Sequence, residues 1–450
     1  MENYRSIRHP LASLRQKSGL SHGGYAQLVA RAHAELGFGS MAARREKIAR
    51  WESGKVTPEI SAQLAMAHLH GVSDAEVHRL GWPDWLYVAT GHSALLTAPW
   101  THAETIQALD NIARATHGTG AHGYTLLASQ QGILDLTSAW LHAAAEPLPL
   151  PLRGGMRIDG LLVDVLERRL GDLRTLFVAL GAYPVRPLAA AELRMIGHLV
   201  RNASYDQSTA VRLLATAASV ACFSGWLAYE LGDHAGAQSA FLIAMRVAAA
   251  AREPQLGAWA MTLIAKQYVD LGKLASVHLL LDGAERLCAP SHPSRRMSAV
   301  FAVTHALASA KQGETDDFER HVGAARTAHT AEMRDDDPDF TDWLTTESMA
   351  SQIGNSYVYL GKMDKALDHL LPLGSGLPAR DTALQDAHMA IAHAASGDVD
   401  VAVDLARKVA AFLAHSPSHG VETYHHMLLS ELSKHSHARV VRDFLDEQAD

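Results

Sequence analysis

The chain has 450 residues, of which 48% are hydrophobic and 20% are charged, and its formal net charge is −8. At roughly 150 residues per domain, this length predicts two or three folded units. The longest apolar runs are interrupted by polar residues, and the amino terminus has no signal-peptide core, so we expect neither a membrane span nor a secretory leader. We therefore expect a cytoplasmic protein with no membrane partner.

The charge is unevenly distributed along the chain. Residues 1–85 hold 11 Lys and Arg against 8 Asp and Glu, whereas the remaining residues hold 29 against 40. A mildly basic head therefore precedes an acidic body. This arrangement suits a small nucleic-acid-binding unit that is carried by a larger domain with another role.

The head, residues 1–85, contains five segments in which apolar residues recur at helical spacing. These segments are about 11–17, 25–36, 41–52, 59–69 and 74–80. Ser21, Ser40, Thr57 and Ser73 precede the second to fifth segments, where a short polar side chain can cap a helix. We expect an all-α protein with a five-helix head, since no alternating pattern typical of strands occurs in the chain.

A middle region of linkers and helices is predicted for residues 86–204. Helices are expected at about 103–115 and 121–145, and again from about 159. Residues 146–155 contain three prolines at alternate positions, which exclude a helix and favour an extended connector.

From residue 205 to 450 an internal repeat is visible. Glycines that can end a helix recur at steps of 40, 41, 48 and 36 residues, at Gly232, Gly272, Gly313, Gly361 and Gly397. Five positions after each glycine stand Ala237, Val277, Phe318, Ala366 and Ala402, and three of these are small enough to let paired helices approach closely. The pattern predicts an α-solenoid of helix pairs.

Two of these repeats resemble the tetratricopeptide repeat most closely. They contain Tyr268-x2-Leu271-Gly272 and Tyr357-x2-Leu360-Gly361, which match its first-helix signature. The steps between repeats are longer than in that family, and Pro372 interrupts the second helix expected after Gly361.

The stretch KIARWESGKVTP, residues 47–58, combines an apolar face with basic residues. Ile48 and Trp51 lie on one face of a predicted helix, and Gly54 ends it. The stretch resembles the end of the recognition helix and the following turn in phage-repressor-like, Xre-type helix-turn-helix domains. LASLRQKSGLS, from residue 11, and YAQLVARA, from residue 25, resemble the first two helices of that family.

This resemblance implies that the head binds double-stranded DNA through its third helix. Recognition helices of this kind read base edges in the major groove, while flanking groups hold phosphates. The implied base contacts are Arg44, Arg45 and Lys47, and the implied phosphate contacts are His22, Arg50 and Lys55.

Two departures from the family pattern affect these assignments. His22 stands where relatives usually have Gln, which weakens one expected phosphate contact. Val29 and Ile48 are 19 residues apart, further than in short phage repressors, so either the second helix is extended or a loop is inserted.

The resemblance extends into the body. LGWPDWL, from residue 80, and GWLAYELGDHAGAQSAFLIAMRVAAAA, from residue 225, resemble actinobacterial Xre-type regulators with a carboxyl-terminal tetratricopeptide-like domain. Such a regulator is expected to act as a homodimer on a two-fold operator. The resemblance also suggests a peptide or small-molecule ligand in the concave face of the solenoid. Candidate groove residues are Trp226, Tyr229, Trp259, Tyr268, Asn355 and Tyr357, although such side chains also commonly fill the core between helices.

The motifs of enzymes and cofactor sites are missing from the sequence. The 27 histidines include no HExxH motif, and Cys222 and Cys288 stand apart, as expected for buried thiols. DDDPD, residues 335–339, lacks the glycine and terminal Glu of a calcium loop and is interpreted as a solvated linker. We expect no catalytic activity, no cofactor and no metal.

Two functions remain open from the sequence. The first is a DNA-binding transcription regulator whose solenoid dimerises and senses a ligand. The second is a peptide- or protein-binding adaptor of the tetratricopeptide type, in which the helix-turn-helix head is degenerate. Salt-dependent binding to random duplex DNA distinguishes them, because only the first neutralises phosphates.

Overall fold

The computed structural model describes residues 9–90, 99–115, 130–145, 155–330, 332–371 and 377–448. Within these residues the regular structure is helical, and no strand is formed. One isolated parallel bridge joins Arg157 to Ser204. The expected all-α class is therefore confirmed for the described part of the chain.

The head forms six helices around its own apolar core. They are α1 (Pro10–Lys17), α2 (His22–Glu35), α3 (Arg45–Glu52), α4 (Ile60–Leu69), α5 (Asp74–Leu80) and α6 (Trp85–Thr90). The core includes Leu11, Tyr25, Ile48 and Trp85. Burial of these large side chains stabilises the head by roughly 1.5–3 kcal/mol each relative to exposure.

The predicted caps are correct for α2 and α5 and wrong for α3 and α4. The hydroxyl oxygens of Ser21 and Ser73 accept hydrogen bonds from backbone N–H groups of their helices. Helix α3 begins at Arg45, and α4 follows Glu59, so Ser40 and Thr57 do not cap them. The two glycines after α2, at positions 37 and 39, have φ of 79° and 86° and hold the chain out of helical conformation. Much of the extra length before Ile48 therefore lies in a loop.

The middle region contributes helices to the core of the body. They are α7 (His102–Ala115), α8 (Gln130–Ala145), α9 (Gly160–Leu180) and α10 (Ala182–Asn202). Leu109, Ile133 and Trp140 belong to the same apolar cluster as the helices that follow, and the indole of Trp140 donates to the Met245 carbonyl at 2.9 Å. The predicted helix start at 121 and nearly all of the proline connector fall outside the described residues.

The body continues as helices joined mostly by short turns. They are α11 (Gln207–Glu230), α12 (His234–Ala251), α13 (Pro254–Asp270), α14 (Val277–Cys288), α15 (Arg295–Gln312), α16 (Thr315–Ala328), α17 (Thr346–Tyr359), α18 (Met363–Leu370), α19 (Ala379–Ala395), α20 (Val399–His415), α21 (His419–Ser433) and α22 (Arg439–Glu447). Short 3₁₀ turns lie at Leu274–Ser276, Ala289–Ser291 and Asp339–Thr341.

The repeated glycines occupy the conformation that their positions in the sequence predict. All five have φ between 68° and 87°, a region that favours glycine because it has no Cβ. The five residues that follow them by five positions are completely buried. Each glycine therefore ends one helix, and each small or apolar residue lets the next helix pack back against it.

One helix in the described residues, α11, is long and apolar enough to cross a membrane by length and composition alone. However, 72% of its most apolar window is buried within the protein. Length and apolar composition are therefore weak evidence that this helix spans a membrane. Cys222, in the same helix, and Cys288 are both buried free thiols.

Candidate functional site

Helix α3 exposes basic side chains, while its apolar face packs into the head core. Ile48 and Trp51 are buried in the head core. Of the predicted DNA contacts, Arg44, Arg45, Arg50 and Lys55 are exposed, and Lys47 is half-buried. The five cationic side chains therefore remain available to an anion, while the apolar face fixes the orientation of the helix.

A buried ion pair holds the carboxyl end of α3. The Arg15 guanidinium donates to both oxygens of Glu52, at 2.6 Å to Oε1 and 3.0 Å to Oε2, and also to the Leu20 carbonyl at 2.8 Å. The Glu52 hydrogen bond raises the pKa of Arg15. Arg15 thus connects α1, the turn before α2 and the end of α3.

Two of the predicted DNA contacts have partners within the head. Nε2 of His22 lies 3.0 Å from Oε2 of Glu52, and Nε of Arg45 donates to Oε1 of Glu46 at 3.0 Å. The His22 side chain is 41% exposed, and Arg45 is 79% exposed. An exposed pair such as Arg45 with Glu46 contributes little to stability, so Arg45 can exchange its partner readily.

The turn after α3 approaches the body. Gly54 has φ of 68°, and a Cβ at this position would lie 3.1 Å from Nζ of Lys273. Lys273 follows Gly272 in the turn after α13. The body therefore places a further cation beside the turn of the head.

A large, partly open cavity lies in the body. Its volume is about 1740 Å³, and its walls come from α9, α11, α13, α15, α17, α19, α21, the carboxyl end of α20 and the segment between α16 and α17. Drug-sized ligands usually occupy pockets of about 300–1,000 Å³, so this cavity has room for a larger molecule or a short peptide.

A polar contact between distant parts of the chain closes one side of the cavity. The Arg380 guanidinium donates to both carboxylate oxygens of Glu230, at 2.6 and 2.7 Å. The Ser418 hydroxyl also contacts Glu230 at 3.2 Å, and Nε2 of His234 lies 3.2 Å from Nε2 of His419. These contacts, here called the clasp, join α11 and α12 to α19 and α21.

A charged network occupies part of the cavity wall. The Tyr229 hydroxyl donates to Asp270, and Nζ of Lys311 donates to the same carboxylate at 3.2 Å. Burial alone would raise the pKa of Asp270, but the ammonium groups of Lys266 and Lys311 outweigh it and lower the pKa to about 2. Asp270 is therefore ionised, and the two ammonium groups more than neutralise its charge.

Several buried polar atoms at the cavity have no hydrogen-bond partner among the described residues, and two of them are Oδ1 of Asn355 and Nε2 of His388. Nδ1 of His388 lies 2.7 Å from the Leu384 carbonyl, so this nitrogen carries the proton and Nε2 is an acceptor. Burial lowers the pKa of His388 to about 4. A bound molecule that donates hydrogen bonds would satisfy these atoms, which otherwise carry an energetic cost.

An aromatic cluster forms another part of the wall. Trp259 stacks on Phe340 with ring centroids 5.7 Å apart, and its ring is 6.1 Å from that of Trp343. Arg296 ties the segment that carries Phe340 and Trp343 to α15, because it donates to the Leu344 carbonyl at 2.6 Å. Asp337 in this segment accepts from two backbone N–H groups and is buried. The interpretation of DDDPD as a solvated linker is therefore wrong for Asp337.

The structure places four of the six predicted groove residues at the cavity. Trp226, Tyr229, Trp259 and Asn355 line it. Tyr268 lies instead in the core between helices. It follows Trp259 by nine residues, and this spacing places it on the opposite side of α13. Tyr357 is two residues beyond Asn355 and also faces away, so its hydroxyl donates to Glu319 on α16 at 3.1 Å.

No sequence pattern indicated several of the cavity residues. Lys311, Arg380, His388 and Tyr424 come from three different helices, α15, α19 and α21, and belong to no motif. Their shared position depends on how the helices turn around the cavity. Glycine spacing predicts helix ends but does not predict this curvature.

Comparisons with protein-family models, with curated proteins and with solved structures found no match to this chain. The residues and the geometry therefore carry the functional argument alone.

Proposed function

We propose that the protein is a sequence-specific DNA-binding transcription regulator that acts as a homodimer and responds to a ligand in the body. The head would bind double-stranded DNA as an Xre-type helix-turn-helix unit. The body would be a tetratricopeptide-like solenoid whose interior cavity receives a peptide or a small molecule.

The exposed basic face of α3 is the observation that carries this proposal. Arg44, Arg45 and Lys47 lie at its amino-terminal end, where recognition helices contact base edges, and Arg50 and Lys55 flank its carboxyl-terminal end. The opposite face of the same helix is buried through Ile48 and Trp51. A helix that is short, anchored and basic on its exposed side suits insertion into a major groove.

The cavity supports the regulatory part of the proposal. Its walls combine aromatic side chains with Asn355 and His388, whose acceptor atoms lack partners. Binding pockets commonly have this composition, mostly apolar with a few polar groups that orient the ligand. Because the clasp closes the cavity through helices distant in sequence, occupation of the cavity would change how these helices pack.

Exposed apolar side chains on α9 support dimerisation. Leu161 and Val165 near its start and Leu176 and Leu180 near its end lie on one side of this helix, with the exposed Arg168, Arg169 and Asp172 between them, and Tyr183 is 73% exposed. Exposed apolar patches commonly mark interaction sites. A second copy that buried this face would place two heads on one operator.

The adaptor function is the second candidate, and two observations favour it. His22 and Arg45 already have carboxylate partners within the head, and the cavity is large enough for a peptide. In that case the cavity would be the only functional site, and the head would not bind nucleic acid.

Titration of the intact protein with a random DNA duplex at several salt concentrations tests the proposal. A regulator releases counterions when its cations meet phosphates, so the logarithm of the binding constant falls linearly with the logarithm of the salt concentration. This salt dependence should be weaker in a variant in which Ala replaces Arg44, Lys47, Arg50 and Lys55. Absence of binding by the unaltered protein would favour the adaptor.

A further inference from the structure

Three histidines from three consecutive helices meet on the body. His278 lies in the first turn of α14, His305 in α15 and His321 in α16. Their potential ligand atoms all lie within 4.8 Å of one another. In the part of the chain that the structure describes, no other group of three or more His, Cys, Asp or Glu side chains has the spacing of a metal site.

The closest approach within this triad joins two ring nitrogens. Nδ1 of His278 lies 2.7 Å from Nδ1 of His305, so one of them donates to the other while both rings are neutral. His321 stacks on His305 with ring centroids 4.8 Å apart. The hydrogen bond alone accounts for two of the rings, but it gives no reason for the third to lie beside them.

A carboxylate lies behind the central histidine. Oε1 of Glu285 is 3.7 Å from Nε2 of His305, on the ring nitrogen that does not contact His278. Histidines that bind metals commonly present one nitrogen to the ion and the other to a carboxylate, which orients the ring and increases its basicity. The position of Glu285 matches this arrangement.

Carboxylates and one cation act on the triad. Glu314, Asp282 and Asp317 act on His278 and favour a positive ion, whereas the Arg320 guanidinium acts on His321 in the opposite sense. Neutral imidazole is the form that binds metal.

From this geometry we propose that His278, His305 and His321 form a binding site for a divalent transition-metal ion of the zinc class. Three imidazoles suit such an ion and leave a fourth position for water or another donor. The ion would connect α14, α15 and α16. The sequence predicted no metal because the three histidines are 27 and 16 residues apart and form no motif.

Binding requires the rings to turn out of their stacked arrangement. The interplanar angles are between 8° and 20°, whereas a metal lies in the plane of each ring that binds it. Tetrahedral coordination at about 2.1 Å places the ligand nitrogens about 3.4 Å apart. His278 and His321 are only half-buried, so they can turn toward an ion held by His305.

Zinc titration of the full-length protein tests the site. A chelator first removes any bound metal from the protein. The metal-free protein then competes with a chromophoric chelator for Zn²⁺, and this competition gives the number of Zn²⁺ ions that each chain binds tightly. The test variant carries His278→Gln and His321→Gln. The matched control carries His435→Gln and His437→Gln, which replace another pair of neighbouring histidines whose ring centroids are 6.1 Å apart. His305 is left unchanged because it is buried.

We expect the unaltered protein and the control to bind one Zn²⁺ ion tightly per chain. The test variant should not bind this ion. Zn²⁺ should raise the thermal unfolding midpoint of the first two proteins only. Retention of this tightly bound ion by the test variant, or its absence from the unaltered protein, would overturn the site. If the test variant fails to fold, Co²⁺ bound to the unaltered protein decides: a tetrahedral visible spectrum supports the triad, and an octahedral spectrum contradicts it.

Discussion

Arg45 and Lys55 have different expected roles although both are exposed cations of the head. Arg45 lies at the amino end of α3, and Lys55 follows the glycine turn. Arg45→Ala should reduce discrimination between specific and random duplex by about 1–3 kcal/mol, because it removes a base contact. Lys55→Ala should weaken binding to both duplexes about equally, because phosphate contacts carry no sequence information.

Competition titrations with both duplexes measure this difference. Arg79→Ala is the matched control, since Arg79 is an exposed arginine of the head that pairs with Glu76 at 2.6 Å and lies outside the proposed interface. Equal effects of Arg45→Ala and Lys55→Ala on both duplexes would contradict the assigned roles.

His388 links the stability of the body to pH. Its folded pKa is about 4 because of burial, whereas an unfolded histidine has a pKa of about 6.5. The unfolded chain therefore binds a proton first as the pH falls, so the stability contributed by neutral His388 is complete above about pH 6.5 and is lost progressively toward about pH 4. This contribution is at most about 3 kcal/mol.

Thermal unfolding of the intact protein between about pH 7 and pH 5 measures this contribution. His388→Gln should reduce the loss of stability across that range, whereas His426→Gln, which changes an exposed histidine, should leave it unchanged. An identical pH dependence for all three proteins would show that His388 is not buried in neutral form.

At the scale of helices, the clasp is the contact whose loss should matter most. Glu230 is 1% exposed, and Arg380 neutralises it through two hydrogen bonds. Arg380→Ala leaves an uncompensated buried charge and should destabilise the body by about 3–5 kcal/mol. Amide exchange in α21 should also become faster, because Glu230 contacts Ser418 at the start of that helix.

Arg407→Ala provides the control for the clasp. Arg407 pairs with Glu447 at 3.0 Å, but both side chains are about half exposed. Loss of an exposed pair should cost at most about 1 kcal/mol. Equal destabilisation by the two substitutions would contradict a structural role of the clasp.

Some features of the helices can be predicted from the sequence, and others cannot. Gly232 and its four counterparts predict helix ends correctly, because a left-handed residue and a following buried position are local properties of the chain. Trp259 and Tyr268 look equivalent in sequence, yet only Trp259 faces the cavity. The difference depends on which side of α13 faces inward. The clasp joins residues 150 positions apart, and no local pattern encodes such a contact.

At the scale of the whole molecule, the head and body should behave as separable units. The head has its own core, which includes Leu86 of α6 beyond the predicted boundary at residue 85, so a fragment of residues 1–90 should fold. It should nevertheless bind an operator much more weakly than the intact protein, because a single head lacks the second set of contacts. The fragment of residues 90–450 should remain folded and dimeric.

Light scattering on both fragments and a DNA titration of the head measure these properties. Leu176→Asp in the intact protein provides a matched variant, since it introduces a charge on the proposed dimer face without altering the head. This change should give monomers with weakened operator binding. A monomeric body fragment, or a free head that binds as tightly as the intact protein, would contradict the dimeric arrangement.

Selection of bound fragments from random DNA by the intact protein tests the central claim most directly. We predict enrichment of one motif with two-fold symmetry, and no enrichment by a variant in which Arg44, Arg45 and Lys47 are changed to Ala. Because Arg44 and Arg45 are exposed, their replacement should not unfold the head, so loss of folding would not explain that result. Failure of the unaltered protein to enrich any motif would contradict a sequence-specific regulator, whereas equal enrichment by the variant would contradict base reading by α3.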